Sequence, residues 1–354
     1  MVFGMIRKGL AILATLTIMA QTGKTAPLDQ KQTCIANATS GYTMCAPAPV
    51  AVNCQGATVE PPARPSPTRP SPARPSPTPA PTRPPPTRPS ACVFSPYVES
   101  WGSLDLKAYP GRSVTLAFLL AGPGGTSLAW DGTMPLDHWL TRAKASKKQI
   151  VLSFGGAAGA ELAETDLPAA KLAAEYIRAA NMYSASRLDF DIEGSGLWDT
   201  EVIHKRNAAL AIVQKRLPSV KIQYTLPVMP FGLDSACLAL LKDAKAAGVR
   251  LDAVNVMAMN YGDSFREDMG TYAIQAAKAT RAQLLRDLGF KNPLVGITPM
   301  ILQNDVAVER FSIQDAREVA DFAAKNTWVT FVGFWSAGRD VNHKFATLFA
   351  SKLS

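Results

Sequence analysis

Residues 186–194 read SRLDFDIEG and carry an acid at every second position. The acids are Asp189, Asp191 and Glu193, with an apolar residue in each gap. Strict alternation is typical of a β-strand, because successive side chains point to opposite faces. Two structures fit this stretch alone about equally well: an edge strand with one solvated face, or a strand of a closed barrel with one parity facing the axis. The pattern of the whole chain has to decide between them.

Eight apolar stretches with strand character follow one another along the chain from residue 94, and amphipathic helical stretches separate the later ones. The predicted strands are residues 94–98, 113–120, 149–154, 188–193, 221–228, 253–261, 293–300 and 328–335. The predicted helices are residues 167–183, 205–217, 237–247, 272–288 and 343–353. Strand then helix, repeated eight times in about 260 residues, predicts an α/β fold of the (β/α)8 TIM-barrel type. A doubly wound open sheet is the alternative, and it is disfavoured because no Gly-rich phosphate loop follows the first strand.

The quoted stretch is the fourth strand of this predicted barrel. We expect its three acids to face the barrel interior, with Leu188 and Phe190 packed outward against helices. Glu193 then ends the strand at the carboxyl face, where barrel enzymes keep their chemistry. A solvated strand face becomes the weaker interpretation. Burying acids in a barrel interior costs free energy of desolvation, so three acids there indicate a functional role.

The chain before the barrel divides into three predicted segments. Residues 1–26 resemble a secretory signal peptide, because Arg7 and Lys8 precede an apolar run at 10–20 that is shorter than the roughly 20 residues of a membrane span. Residues 27–60 form a small Cys-bearing segment, and residues 61–91 form a linker rich in Pro, Arg, Ser and Thr with polyproline II character. Residues 92–354 form the catalytic domain. We therefore expect a secreted, extracellular protein with no membrane segment in its mature form.

Composition limits the partners and cofactors. The five arginines of residues 61–91 supply most of the net charge of +9, so no nucleic-acid partner is predicted for the folded domain. The cysteines suit an oxidising compartment, but their spacing gives neither a connectivity nor a C-x-x-C metal site. They are Cys34, Cys45, Cys54, Cys92 and Cys237, the last expected to be a buried free thiol. We expect no metal.

Three carboxyl groups in one desolvated column have a defined chemistry. They cannot all ionise cheaply, so at least one proton is expected to stay in the column near neutral pH. Glu193 is the outermost and the natural general acid, while Asp191 can alternate between Asp189 and Glu193 or a ligand. A proton available near neutral pH is what the cleavage of a glycosidic bond requires.

The D-x-D-x-E pattern of residues 189–193 resembles the signature of glycoside hydrolase family eighteen, the chitinases and their relatives. Residues 153–156 (SFGG) are similar to the S-x-G-G motif of that family, and residues 254–261 (VNVMAMNY) resemble its sixth strand. Residues 333–340 resemble the last strand, in which Trp335 would form the floor under the scissile sugar. Residues 224–228 (YTLPV) and 296–301 (GITPMI) look like bacterial-type members. The resemblance covers about residues 93–350 in matching order.

The resemblance implies a retaining, substrate-assisted hydrolysis of β-1,4-linked N-acetylglucosamine in chitin, without metal or organic cofactor. Glu193 would protonate the leaving oxygen, Asp191 would hold the acetamide that attacks the anomeric carbon, and Asp189 would position Asp191. The expected partners are chitin or N-acetylglucosamine oligosaccharides, and the expected state is a monomer. The predicted substrate-binding residues are Trp335, Tyr261, Asn260, Met259, Met257, Ser153, Gly155, Gly156, Tyr97 and Tyr224.

The sequence departs from the family at two places. Ser186 and Arg187 stand where many members have Asp-Gly, and we expect little effect on activity. On the sixth strand, either Tyr261 or Asn260 can take the role of the Tyr that contacts the acetamide, and Met257 and Met259 are either site walls or core residues.

Flat sugar faces require aromatic platforms. Beyond Trp335, four rings at predicted strand ends are candidates for further subsites: Tyr97, Trp101, Trp130 and Trp198. Trp139 and Trp328 are expected to be structural.

Two other functions stay open. An endo-β-N-acetylglucosaminidase acting on glycoproteins would use the same chemistry. A chitin-binding lectin on the same scaffold would bind without cutting, but such lectins usually lose the acid that Glu193 supplies.

Overall fold

The structure is a computed structural model that describes residues 33–37, 42–46 and 92–353. The first two segments are strands β1 (Thr33–Asn37) and β2 (Tyr42–Ala46), which pair antiparallel with the Cα atoms of Cys34 and Cys45 opposite each other. This hairpin is a unit separate from the barrel. The predicted signal peptide (1–26) and linker (61–91) lie outside the described residues and stay predictions.

Residues 92–353 contain twelve further strands and seven α-helices. The strands are β3 (Val93–Phe94), β4 (Tyr97–Glu99), β5 (Ser113–Ala121), β6 (Leu128–Trp130), β7 (Gln149–Gly155), β8 (Arg187–Asp191), β9 (Lys221–Pro227), β10 (Ala253–Ala258), β11 (Val295–Pro299), β12 (Leu302–Gln303), β13 (Arg310–Phe311) and β14 (Val329–Val332). The helices are α1 (Leu140–Ser146), α2 (Ala169–Tyr183), α3 (Thr200–Arg216), α4 (Ser235–Ala246), α5 (Met269–Arg286), α6 (Ile313–Lys325) and α7 (Lys344–Leu353).

The main sheet closes on itself. Its strand order is β3-β14-β11-β10-β9-β8-β7-β5-β4, and every pair in this order is parallel. The end strands β3 and β4 are two halves of one barrel strand, because Tyr97 N donates to Phe334 O at 3.1 Å while Thr115 N donates to Pro96 O at 2.9 Å. The predicted (β/α)8 barrel is confirmed, with β8 as its fourth strand.

The strand-helix alternation is incomplete in one place. Within the described barrel, the connection from β4 to β5 is built of turns and has no helix. Gly102, Pro110 and Gly111 interrupt this stretch, and all three residue types disfavour a helix. Leu106 and Tyr109 are both 2% exposed and fill the layer that a helix would occupy. The prediction of eight strand-helix units therefore contains one helix too many. The structure also contains α1 and α6 in stretches for which no helix was predicted.

Apolar side chains lie on both sides of the barrel wall. On the outside, Phe190 stacks on Phe154 with ring centroids 4.9 Å apart and contacts Tyr176 of α2 edge-on at 5.1 Å. The predicted outward packing of Leu188 and Phe190 is thus observed. Inside, Tyr97, Ala117, Val151 and Phe331 form a small buried cluster, so most of the apolar core lies between strands and helices. In the described part of the chain, no helix has the length and apolar character needed to cross a membrane.

Candidate active site

Side chains of one parity point to the barrel axis on three neighbouring strands, β7, β8 and β9. In the register of the sheet, Asp189 of β8 lies opposite Ser153 of β7 and Gln223 of β9, and Asp191 lies opposite Gly155 and Thr225. The register thus places Ser153 and Gln223 beside Asp189, and Gly155 and Thr225 beside Asp191, one step further along the strands. The acids therefore stand among polar groups of their neighbours.

Asp189 is fully buried and accepts four hydrogen bonds. Gln223 Nε2 and Thr225 Oγ1 donate to its Oδ1 at 2.9 and 2.5 Å, and Tyr97 OH and Ser153 Oγ donate to its Oδ2 at 2.8 and 2.7 Å. Burial raises the pKa of Asp189 above its ordinary value, and the hydrogen bonds from the four donors oppose this rise only in part. Both oxygens are saturated, so this carboxylate has no acceptor left to offer a ligand.

Asp191 is 5% exposed, and its Oδ1 is buried without a hydrogen-bond partner. Its carboxyl group shares a hydrogen bond with Glu193. Burial raises the pKa of Asp191 well above its ordinary value, and the charges of Glu193 and Asp189 and this hydrogen bond raise it further. Two carboxyl groups can hydrogen-bond only if one holds a proton, so the Asp191–Glu193 pair retains one.

Glu193 lies beyond the end of β8, since the strand stops at Asp191. Its backbone is extended, with φ −132° and ψ 171°, and a short 3₁₀ helix (Gly194–Leu197) follows. The prediction that Glu193 ends the strand is wrong by two residues, although the side chain still reaches Asp191. Burial raises the pKa of Glu193, the hydrogen bond of Asp191 lowers it, and the negative charge of Asp305 raises it. The pair opens into a rim depression that is also lined by Gly156, Glu164 and Ser195.

Two glycines bring β7 and β8 together beside the acids. Gly155 has φ +96°, and a Cβ there would lie 2.2 Å from the carbonyl oxygen of Asp191. Gly156 has φ +91°, and its N–H donates to that same oxygen at 2.9 Å. Both conformations favour glycine, and the close approach at Gly155 excludes any other residue without displacement. The S-x-G-G motif therefore positions Asp191 through its backbone.

The aromatic floor consists of Trp335 and Phe118. The two rings stack at 5.4 Å with 19° between their planes, and Tyr97 and Trp101 contact Trp335 edge-on or tilted, each at 6.3 Å. Trp101 is 58% exposed and extends this surface outward. Phe118, whose ring also lies against Gly156, was not predicted from the sequence.

The sixth barrel strand contributes one side of the site. Met257 lies on the axis-facing parity of β10, two residues beyond the buried Asn255, and Met259 is half-buried just past the strand. Asn260, at φ +55°, bonds the loop between β12 and β13: its Nδ2 donates to Asp305 Oδ2 at 3.1 Å and its Oδ1 accepts from Asp305 N at 3.1 Å. The side chain of Asn260 thus holds the loop that carries Asp305.

Tyr261 lies in a separate aromatic cluster. Its ring contacts Phe265 at 5.7 Å and Tyr272 at 6.1 Å, and its buried hydroxyl has no partner. The structure does not bring it to the carboxyl groups of the acids.

The structure corrects the predicted binding surface at two residues, Tyr224 and Trp130. Tyr224 points outward from β9, where its hydroxyl donates to Asn207 Oδ1 of α3 at 2.5 Å, so it faces helices instead of the barrel mouth. Trp130 is fully buried, and its indole N–H donates to Leu136 O at 2.9 Å. Trp139 is also buried and structural, as expected.

The remaining tryptophans of the prediction have different environments. Trp328 is partly buried and packs on Phe322 of α6, as expected for a structural residue. Trp198, just beyond the loop of Glu193, is 52% exposed.

Three polar residues of the site were missed by the sequence analysis. Gln223 and Thr225 alternate on β9 in the same way as the acids alternate on β8, and this parity was a usable signal. Asp305 gave no such signal, because it lies in a loop that comes close to Glu193 only in three dimensions.

The structure thus combines a closed parallel barrel with a column of acids at the carboxyl end of its fourth strand, where TIM-barrel enzymes keep their active sites. No family model matches the chain. The chain is similar to a probable bifunctional chitinase/lysozyme of Escherichia coli (34% identical over 278 residues, 70% of this chain and 31% of the relative). It is also similar to endochitinase 11 of Metarhizium anisopliae (32% over 275 residues, 70% and 52%).

The catalytic domain of a hyperthermophilic chitinase from Pyrococcus furiosus shares the fold with a TM-score of 0.66 and 28% identity, covering 74% of this chain and 94% of that one. The chain also shares the barrel fold with a GH18 chitinase from Pseudoalteromonas aurantia, with a TM-score of 0.53 and 17% identity, covering 74% of this chain and 100% of that one. It spans about a third and about half of the length of the two curated relatives.

Proposed function

We propose that this protein is a chitinase that hydrolyses β-1,4 linkages between N-acetylglucosamine units. The observation that carries the proposal is the division of the acid column. Asp189 is saturated with donors, whereas Asp191 and Glu193 share a proton beside an open depression. The named activities of the similar proteins support the same substrate class.

The first chemical step needs a proton for the leaving oxygen. Glu193 is the acid nearest the rim, and its raised pKa keeps it protonated to higher pH than an ordinary glutamate. In the proposed step, Glu193 donates this proton while the carbonyl oxygen of the sugar's own acetamide attacks the anomeric carbon. The glycosidic C–O bond breaks and an oxazolinium ion forms, so no protein nucleophile is required.

Asp191 has the properties needed to assist this attack. Its Oδ1 is buried without a partner, so it can accept the acetamide N–H when the side chain turns from Glu193 to the sugar. Its negative charge then offsets the positive charge on the oxazolinium ion. Asp189 cannot rotate to compete, because four donors hold it. A water molecule then gives a proton to Glu193 and attacks the anomeric carbon. This attack opens the oxazolinium ring, with net retention of configuration at the anomeric carbon.

The aromatic floor supports binding of the reacting sugar. Trp335, stacked on Phe118, presents a flat apolar face at the carboxyl end of β14. Pyranose C–H faces pack on such rings, and this contact orients the acetamide toward Asp191.

Export is a separate part of the proposal. The basic pair Arg7 and Lys8 followed by the apolar run of residues 10–20 supports a signal peptide, and a secreted enzyme reaches an extracellular polymer.

The decisive experiment is Glu193→Gln, with Glu201→Gln as a matched control on the exposed first turn of α3. On chitin oligosaccharides, loss of the general acid should lower kcat by about 10²- to 10⁴-fold, with oligosaccharide binding kept in calorimetry. The control should keep wild-type turnover. Unchanged hydrolysis by Glu193→Gln would refute the assignment, and an inverted anomer in the first NMR spectra of the product would refute the retaining mechanism.

A further inference from the structure

Arg187 is a buried cation at the amino-terminal end of the acid column. It lies two residues before Asp189 on the same parity of β8, and it is only 3% exposed. None of the ion pairs between described residues includes it. Its contacts are a hydrogen bond from Nη1 to Gln223 Oε1 at 2.8 Å and the ring of Phe331, 5.5 Å from the guanidinium carbon to the centroid. A desolvated guanidinium with so few partners calls for a reason.

Gln223 connects this cation to the column. Its Oε1 accepts from Arg187, and its Nε2 donates to Asp189 Oδ1 at 2.9 Å. An amide side chain can turn by 180°, which exchanges its oxygen and nitrogen. A guanidinium only donates, so the amide oxygen must face Arg187 and the amide N–H must face Asp189.

We propose that Arg187 is a positioning residue for the acid column, acting by fixing the orientation of the Gln223 amide so that a donor always faces Asp189. With Gln223 held, every group that bonds Asp189 is a donor. The four donors stabilise the ionised form of Asp189 against the effect of its burial, which favours keeping the retained proton on the Asp191–Glu193 pair, where the reaction uses it. The effect of Arg187 on catalysis rests on the proposed function. Its effect on the Gln223 amide and on Asp189 does not.

Without Arg187, the amide can present its oxygen to Asp189. Two acceptors then face each other in a desolvated site, and a proton on Asp189 relieves the repulsion. That proton removes negative charge beside the oxazolinium ion. The acidic limb of the pH–rate profile should then move to higher pH.

Other charged and titratable groups surround Arg187 and Asp189. Arg187 is faced by Asp252, Cys92, Tyr97 and Lys221 in addition to Asp189. Asp252 already accepts from Ile222 N at 3.0 Å and lies 3.7 Å from Arg250, so it is not a dedicated partner. Asp189 is faced by Tyr97 and Asp191 as well.

The test compares Arg187→Met, Arg187→Lys and Lys221→Met. Lys221 is the register partner of Arg187 and supplies a nearby cation without bonding Gln223, so its loss controls for charge alone. In plots of kcat/KM against pH on chitin oligosaccharides, Arg187→Met should move the acidic limb to higher pH by about one pH unit. This shift corresponds to the free energy of about one hydrogen bond to a charged group. Arg187→Lys, which still only donates, should restore the wild-type limb, and Lys221→Met should leave it in place.

A second readout does not depend on activity. In protein labelled with ¹³C-carboxyl aspartate, with the Asp189 signal assigned through Asp189→Asn, Asp189 should take up its proton at higher pH in Arg187→Met than in the wild type. The same shift is expected for Gln223→Met, which decides the question if Arg187→Met does not fold. An Asp189 titration that is identical in wild type and variant overturns the inference, even if the enzyme is active. Wild-type protein that fails to cut chitin oligosaccharides overturns the proposed function and leaves this titration decisive for Arg187.

Discussion

Gly155→Ala tests whether the backbone of β7 sets the position of the acids. A Cβ at Gly155 would lie 2.2 Å from the carbonyl oxygen of Asp191, and contacts below 3.0 Å essentially do not occur, so the two strands must separate by about 0.8 Å. The matched control is Gly248→Ala. Gly248 also has a left-handed backbone, at φ +77°, but nothing lies within 4 Å of its hypothetical Cβ.

Both variants carry the conformational penalty of a non-glycine residue at positive φ, about 1–2 kcal/mol. Only Gly155→Ala also moves Asp191. A displacement approaching 1 Å in catalytic geometry can cost about 10²-fold in rate, so kcat should fall by about that factor in Gly155→Ala and stay at the wild-type value in Gly248→Ala. Thermal unfolding should show a larger loss of stability for Gly155→Ala than for Gly248→Ala.

Turnover of chitin oligosaccharides and unfolding curves at one pH measure both effects. Equal unfolding midpoints for the two variants, together with wild-type kcat in Gly155→Ala, would show that the β7–β8 contact does not control the acids.

Two further predictions concern protons. Asp191→Asn should raise the unfolding temperature near neutral pH. Because the pKa of Asp191 is raised in the folded state, the folded protein holds a proton that the unfolded chain has released. The stability of the wild type therefore falls as pH rises from the ordinary carboxyl range toward the raised pKa. Melting curves at several pH values check this, and an undiminished decline in the variant would contradict it. Asp305→Asn should move the basic limb of the pH–rate profile to lower pH, because the charge of Asp305 raises the pKa of Glu193. The exposed Asp263→Asn serves as control, and an unmoved limb in Asp305→Asn would exclude the coupling.

Alternation along one strand, together with the order of apolar stretches along the whole chain, was enough to predict the centre of the site. The period of two in residues 186–194 identified which side chains face the axis, and the spacing of apolar stretches identified the barrel. The same parity applied to β9 would have assigned Gln223 and Thr225 to the interior and Tyr224 to the outside. Tyr224 was instead taken from a motif resemblance, which carries no information on the direction of a side chain.

Other features depend on tertiary structure that no local pattern encodes. Asp305 approaches Glu193 because Asn260, at positive φ, bonds the loop between β12 and β13. Arg187 was expected to have little effect because it lies far from the reacting bond. Its link to Asp189 passes through a residue on the neighbouring strand and appears only once the register is known.

Closure of the barrel between its first and last strands has a consequence during synthesis on the ribosome. The β3 half of the first strand pairs with β14, which begins at Val329, and Phe94 of β3 stacks on Phe349 of α7 at 5.4 Å. The first barrel strand to emerge therefore keeps one edge open until the last barrel strand has been translated, and such an edge can pair with other chains. A nascent chain released before α7 emerges would expose both that edge and the apolar face of Phe94, which makes truncated products candidates for aggregation and for chaperone binding.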